Sequence, residues 1–116
     1  MTTLKDLTDR IVSFRDARNW KQFHNPKDMA LSLMLEAGEV AEHFQWKKPD
    51  EIEAHLAGEG RSALGDELSD VLYWVLLMAH DLGVDLPEAF DRKMEKNGEK
   101  YPVELARDRH SKYTSL

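Results

Sequence analysis

Four carboxylates stand in this sequence where carboxylates are costly. Glu36 and Glu39 lie three residues apart in a segment that is otherwise apolar almost all round, among Met29, Leu31, Leu33, Met34, Leu35, Val40 and Phe44. Glu67 and Asp70 repeat that spacing among Leu64, Leu68, Val71, Leu72 and Val75. On a helix, residues i and i+3 share a face, and a helix that is apolar on every side is expected to be buried. Lone carboxylates in such surroundings lose hydration and repel one another, which drives them toward their neutral forms. Four that converge are tolerable when cations sit among them. An oxygen-only donor set favours hard cations, so the expected cofactor is Mg²⁺, with Mn²⁺ as the alternative. A single ExxE on an ordinary helix is usually a solvated face paired with lysines. Two such pairs in the two most apolar segments argue for a metal site. Glu42 and Asp66 project roughly 70–90° from the midpoints of the neighbouring pairs, and are expected behind the ligands or in solvent.

The elements that must position these groups are legible from punctuation and period. Thr3 to Asp6 has the form of a capping box, and Leu4, Leu7, Ile11, Val12 and Phe14 follow at helical spacing, giving a first helix that ends near Asn19. Trp20-Lys-Gln-Phe-His24 has no period. Asn25-Pro26 opens a second helix, with Asn25 as cap, Pro26 in the first turn and Asp28 at the positive end of the dipole. It is expected to run to about Trp46, before Pro49. A short helix over about 50–57 is closed by Gly58-Glu59-Gly60. The fourth covers roughly 61–82 and stops at Gly83, the fifth opens at Asp85-Leu86-Pro87 and stops at Asn97-Gly98, and an irregular tail follows Tyr101-Pro102. No run alternates β-branched residues between hairpin signals. The fold class is all-α, a four- to five-helix bundle in a single domain over residues 1–116.

Composition narrows the function classes. A net charge of -6 and a pI near 5.3 argue against a nucleic-acid binder, which needs a basic stripe. Neither opposes a small anionic ligand held through metal ions. There are no cysteines, hence no disulfide framework and no thiolate chemistry. The longest apolar run, Val71 to Ala79, is about half of what a bilayer span needs, and no N-terminal apolar run of signal-peptide type is present. The expectation is a cytoplasmic protein with no membrane partner.

Beyond these residues the sequence resembles a known family. Glu36-Ala-Gly-Glu39, a spacer of 27 residues and Glu67-Leu-Ser-Asp70 are similar to the ExxE…ExxD pattern of the MazG-like all-α nucleotide pyrophosphohydrolases. Trp20-Lys-Gln-Phe-His24, Phe44-Gln-Trp-Lys47, Val84-Asp-Leu-Pro87, Lys93-Met94, Tyr101-Pro102 and Lys112-Tyr-Thr114 look like the dCTP pyrophosphatase branch. The resemblance implies a nucleotide diphosphatase that cleaves a nucleoside triphosphate, dCTP or a modified dCTP foremost, to monophosphate and pyrophosphate. It implies metal ligation by Glu36, Glu39, Glu67 and Asp70, with Glu39 or Glu67 orienting the attacking water. For the substrate it implies the Trp20, Lys21, Gln22, Phe23 and His24 stretch and Trp46 at the base, and Lys93, Asn97, Lys100 and Tyr101 near the phosphates. Two positions depart from vertebrate members, Ile11 in place of a histidine and Trp74 in place of a tyrosine. Helix geometry puts Trp74 on the face shared by Glu67 and Asp70, so it joins the substrate-binding set, and base preference is expected to shift at these two places.

Two rivals remain. A ferritin-like di-metal bundle needs Glu-x-x-His pairs, and none occurs: Lys21, Val40, Ile52, Leu77 and Arg107 precede the five histidines by three. A non-catalytic helical interaction module would show no dependence on divalent metal. The apolar excess of the second and fourth helices predicts a homo-oligomer. The resemblance implies a dimer of dimers in which helices of neighbouring subunits close the pocket and Trp20 to His24 serve a partner's metal site.

Overall fold

The computed structural model describes residues 1–116, all helices and turns with no strand. The helices are α1 (Leu4–Ala17), α2 (Pro26–Glu42), α3 (Pro49–Ala57), α4 (Gly60–Leu82), α5 (Leu86–Lys100) and α6 (Val103–Ala106). Single 3₁₀ turns cover Lys21–Phe23 and Tyr113–Ser115. The chain forms two compact units, Met1–Gly83 and Val84–Leu116.

In the first unit α4 is the hub against which α1, α2 and α3 each pack. The starts are capped as the sequence implies. Thr3 Oγ1 accepts from the Asp6 N–H at 3.1 Å while the Asp6 carboxylate accepts from the Thr3 N–H at 2.9 Å. Asn25 Oδ1 accepts from the Asp28 N–H at 2.9 Å, with Pro26 in the first turn. Gly83 closes α4 in the left-handed region, φ 69°, where a side chain would be strained.

Two boundaries differ from expectation. Regular hydrogen bonding in α2 ends at Glu42 rather than Trp46. The chain continues in tighter i→i+3 turns, His43 to Val40 and Phe44 to Ala41, until Trp46 enters the left-handed region at φ 67°. α5 passes straight through Asn97-Gly98 and stops at Lys100. A helical glycine costs only about 1 kcal/mol, whereas Pro102 forces Tyr101 out of helical geometry. The tail is not wholly irregular either, since Pro102 and Val103 accept the N–H groups of a further short turn, α6.

The expected burial of α2 is corrected by the structure. Only Met29 of that helix is buried; Leu31, Met34 and Leu35 are exposed, as are Leu68 and Leu72 of α4. The small core holds Met29, Leu76, Leu77 and Ala79, and one charged side chain, Arg15. Its guanidinium Nη1 donates to Asp81 Oδ2 at 2.6 Å, tying α1 to the last turn of α4. An acid near a helix C-terminus opposes the dipole, so Asp81 is explained by Arg15. Asp81→Ala leaves the buried Arg15 only the longer contact of its Nε with Asp16 Oδ1 at 3.6 Å, and should cost about 3 kcal/mol in denaturant unfolding. The double change Arg15→Met, Asp81→Leu should recover most of it. A loss below about 0.5 kcal/mol, the size of an ordinary surface effect, would show that the pair is not structural.

In the second unit Asp85 Oδ1 accepts from the Glu88 N–H at 3.2 Å to open α5. Tyr101 and Tyr113 meet edge to face, centroids 6.1 Å apart, and the Lys100 ammonium lies 4.9 Å from the Tyr113 ring centre.

Candidate functional site

Because α2 and α4 pack face to face, their two i, i+3 pairs converge. One oxygen from each of Glu36, Glu39, Glu67 and Asp70 can be chosen so that all lie within 4.8 Å of one another. The cluster is half-buried rather than interior: Glu36 and Glu67 are partly covered, Glu39 and Asp70 exposed. Expectation placed all four in an apolar interior, but within one chain the flanking leucines of α2 and α4 stay open and leave one edge of the cluster wet.

The inner oxygens are nonetheless shielded. Oε2 of Glu36 and Oε2 of Glu67 are each out of contact with solvent and without a hydrogen-bond donor. The carboxyl of Glu67 is pushed up to about 7, first by hydrogen bonding with the Glu39 side chain, then by burial and by the charges of Glu39, Asp70 and Glu36. Glu36 is raised as well, by burial first and then by Glu39 and Asp70. Crowded, protonatable, donor-starved oxygens are what a divalent cation relieves. The residues present therefore fit a divalent metal.

Two cavities meet this cluster. The larger, about 550 Å³, is walled by Phe14, Trp20, Tyr73 and Trp74, floored by Ile11 and Leu76, and touches Glu36 and Asp70. Its size and apolar lining suit a small organic ligand. Phe14 and Trp20 meet edge on at 5.7 Å, and Phe14 and Tyr73 at 6.4 Å. The Arg18 guanidinium caps Phe14 at 3.7 Å from its ring centre. The smaller cavity, about 420 Å³, is polar and is lined by Glu39, Glu42, His43, Lys47, His55 and Glu67.

The other expected substrate residues are scattered. Trp20 and Trp74 line the aromatic cavity together with Glu36 and Asp70 of the same chain, so Trp20 has a carboxylate cluster within its own chain. His24 packs edge on against Trp74 at 5.3 Å with Nδ1 buried and unpaired. Its imidazole is held below its usual range by burial and by Arg15. Lys21, Gln22 and Phe23 line neither cavity; Gln22 donates to the Asn19 carbonyl and Phe23 is exposed. Trp46 is 91 % exposed. Lys93, Asn97, Lys100 and Tyr101 belong to the second unit, where the Asn97 amide reaches Met94 Sδ at 3.8 Å.

Several lining residues were not anticipated: Arg10, Phe14, Ser69, Tyr73, His43 and His55. Helical spacing held the signal for three of them. Leu7, Arg10, Ile11 and Phe14 recur at i, i+3, i+4 and i+7, and Tyr73 is three residues past Asp70. The contact of His43, in the turn that follows α2, with His55 of α3 has no local signature.

This is an all-α bundle that presents four converging carboxylates, a donor set compatible with divalent metal, beside an aromatic cavity. The model of the MazG-like family matches residues 31–116. The chain is 43% identical to dCTP pyrophosphatase 1 of Mus musculus over 115 residues, and 44% identical to that of Bos taurus over 116. In each case the match covers 98% of this chain and 68% of the relative. A pyrophosphatase of Archaeoglobus fulgidus shares the fold with a TM-score of 0.79 at 34% identity, over 88% of this chain and 94% of that one. The chain belongs to the MazG-like family.

Proposed function

We propose that this chain is a nucleoside triphosphate pyrophosphohydrolase that prefers pyrimidine deoxynucleotides, dCTP or a base-modified relative first, with Mg²⁺ as its working cation and Mn²⁺ as a substitute. The observation that carries this reading is the convergence of Glu36, Glu39, Glu67 and Asp70 at the edge of the aromatic cavity. The relatives named as dCTP pyrophosphatases support the choice of substrate. The family match crosses from the first unit into the second, which supports one domain over residues 1–116.

The four carboxylates would hold the cations, which when bound neutralise charge on the phosphate oxygens and acidify water. Trp20, Phe14, Tyr73 and Trp74 offer ring faces and edges to a base and exclude water from it. In the reaction the oxygen of a water forms a bond to the α-phosphorus, the bond from that phosphorus to the bridging oxygen of the β-phosphate breaks, and pyrophosphate carries the electron pair away. Glu39 and Glu67 are the candidates to take the water's proton. Lys93, Asn97, Lys100 and Tyr101 are proposed at the phosphates, and Lys21, Gln22, Phe23, His24 and Trp46 around the nucleoside, on the family pattern.

The exposed leucines of α2 and α4 support association with further copies of the chain, and the family pattern favours a dimer of dimers. No helix is long and apolar enough to cross a membrane, and we place the enzyme in the cytoplasm, with its nucleotide substrates. A panel of triphosphates resolved by chromatography tests the substrate reading. dCTP or 5-modified dCTP should lead, and a purine triphosphate ahead by more than roughly tenfold in kcat/KM, about 1.4 kcal/mol of discrimination, overturns it. Light scattering on the same sample should report more than one chain; a fully active monomer would contradict the assembly.

A further inference from the structure

The carboxylate cluster is shared between two unlike cavities. Glu36 and Asp70 lie on the aromatic one, Glu39 and Glu67 on the polar one. A nucleoside triphosphate is divided in the same way, with a flat base and sugar at one end, a polyanion at the other and the α-phosphorus between them. We infer that the polar cavity receives the pyrophosphate end of the substrate, with Lys47 and the hydrogen-bonded pair His43–His55 as its protein donors. This rests on the triphosphate reading above.

Three features make the cavity more than a gap. Lys47 is the one cationic side chain among its lining residues. Nδ1 of His43 lies 2.8 Å from Nε2 of His55, so one ring donates to the other. In a neutral pair joined through those atoms, the two remaining ring nitrogens comprise one N–H and one lone pair whichever ring donates. The pair thus always keeps one N–H that is not used between the rings. Burial, with Lys47 and His43 beside it, holds His55 below its ordinary range and so favours its neutral ring.

The pair is also built into the fold. His55 comes from α3, and its ring lies against Gly60, the buried first residue of α4. A β-carbon at position 60 would overlap three atoms of the imidazole. The glycine is what lets α3 deliver its histidine to His43. Glu39, Glu42 and Glu67 make the empty cavity anionic, so pyrophosphate should enter only together with divalent cation.

The test is calorimetric titration of the full chain with pyrophosphate and, separately, with dCMP, each with and without Mg²⁺, after cleavage of dCTP has been measured on the same preparation. Lys47→Gln should weaken pyrophosphate binding tenfold or more and change dCMP binding less than threefold. Without Mg²⁺ pyrophosphate should not bind. Because a variant at the histidine pair could disturb α3, the unaltered chain supplies the second readout: ¹⁵N resonances of the His43 and His55 rings should move on adding pyrophosphate with Mg²⁺ and stay fixed on adding dCMP. Unchanged pyrophosphate affinity in Lys47→Gln, equal weakening of both ligands, or unmoved imidazole resonances would overturn the subsite while leaving the enzyme's activity standing. A chain that does not cleave dCTP and binds neither product overturns both.

Discussion

Glu67→Gln and Asp70→Asn should each lower turnover by roughly 10²-fold or more while leaving the metal-free fold intact or more stable. Both changes remove charge and keep shape. In the metal-free chain Glu67 holds its proton up to about 7, through Glu39, burial and the neighbouring charges. The folded state therefore binds more protons than the unfolded state between the ordinary carboxylate range and about pH 7. With a raised folded-state value, this contribution to stability is fully present at low pH and is lost as pH rises through that window. In chelator, the melting temperature of the unaltered chain should fall from pH 5.5 to pH 8 more steeply than that of Glu67→Gln. Added Mg²⁺ should remove the difference, since cation then replaces the proton. Metal-free Glu67→Gln melting well below the unaltered chain at pH 8, or turnover unchanged in either variant, would mean that the carboxylates serve the fold and not a metal.

The second large effect is expected at the aromatic wall. Stacking a base on an aromatic ring is worth about 1–3 kcal/mol by alanine replacement, so Trp20→Ala should reduce kcat/KM by roughly 10- to 100-fold. Binding of the base is common to substrate and transition state, and the loss should appear mainly in KM. Trp20→Phe, which keeps a ring, should retain most of the activity. The competing role is mechanical. The Trp20 ring braces Phe14 edge to face; its backbone N–H, which donates to the Arg15 carbonyl at 3.2 Å, is kept in the variant. If bracing were all it did, the melting temperature would fall and the activity of the folded fraction would not. Steady-state kinetics on Trp20→Ala beside its thermal melt separates the two.

These outcomes bear on what a sequence of this kind discloses. The convergence of the carboxylates was legible because two i, i+3 pairs on two long helices have few ways to pack except against each other. Caps at Thr3, Asn25 and Asp85 were legible because the residue types are specific to helix starts. The burial of α2 was not. An apolar face records that something must cover it, and in a single chain Leu31, Met34, Leu35, Leu68 and Leu72 remain open. The stop at Asn97-Gly98 failed because a permissive residue allows a turn without demanding one, while Pro102 demands it. Arg15 was invisible as a core residue because its partner Asp81 is 66 positions away, and the same holds for His43 with His55 on α3. Long-range polar pairs leave no period in the chain, and here they connect the helices that frame the site.

The central claim is that water attacks the α-phosphorus of a nucleoside triphosphate at the cluster formed by Glu36, Glu39, Glu67 and Asp70. Turnover of dCTP in ¹⁸O-enriched water, with mass analysis of both products, tests it directly. One heavy oxygen is expected in dCMP and none in pyrophosphate, with no product in the presence of chelator. Heavy oxygen in pyrophosphate would place the attack on the β-phosphorus, and release of dCDP with labelled orthophosphate would place it on the γ-phosphorus; either would contradict it.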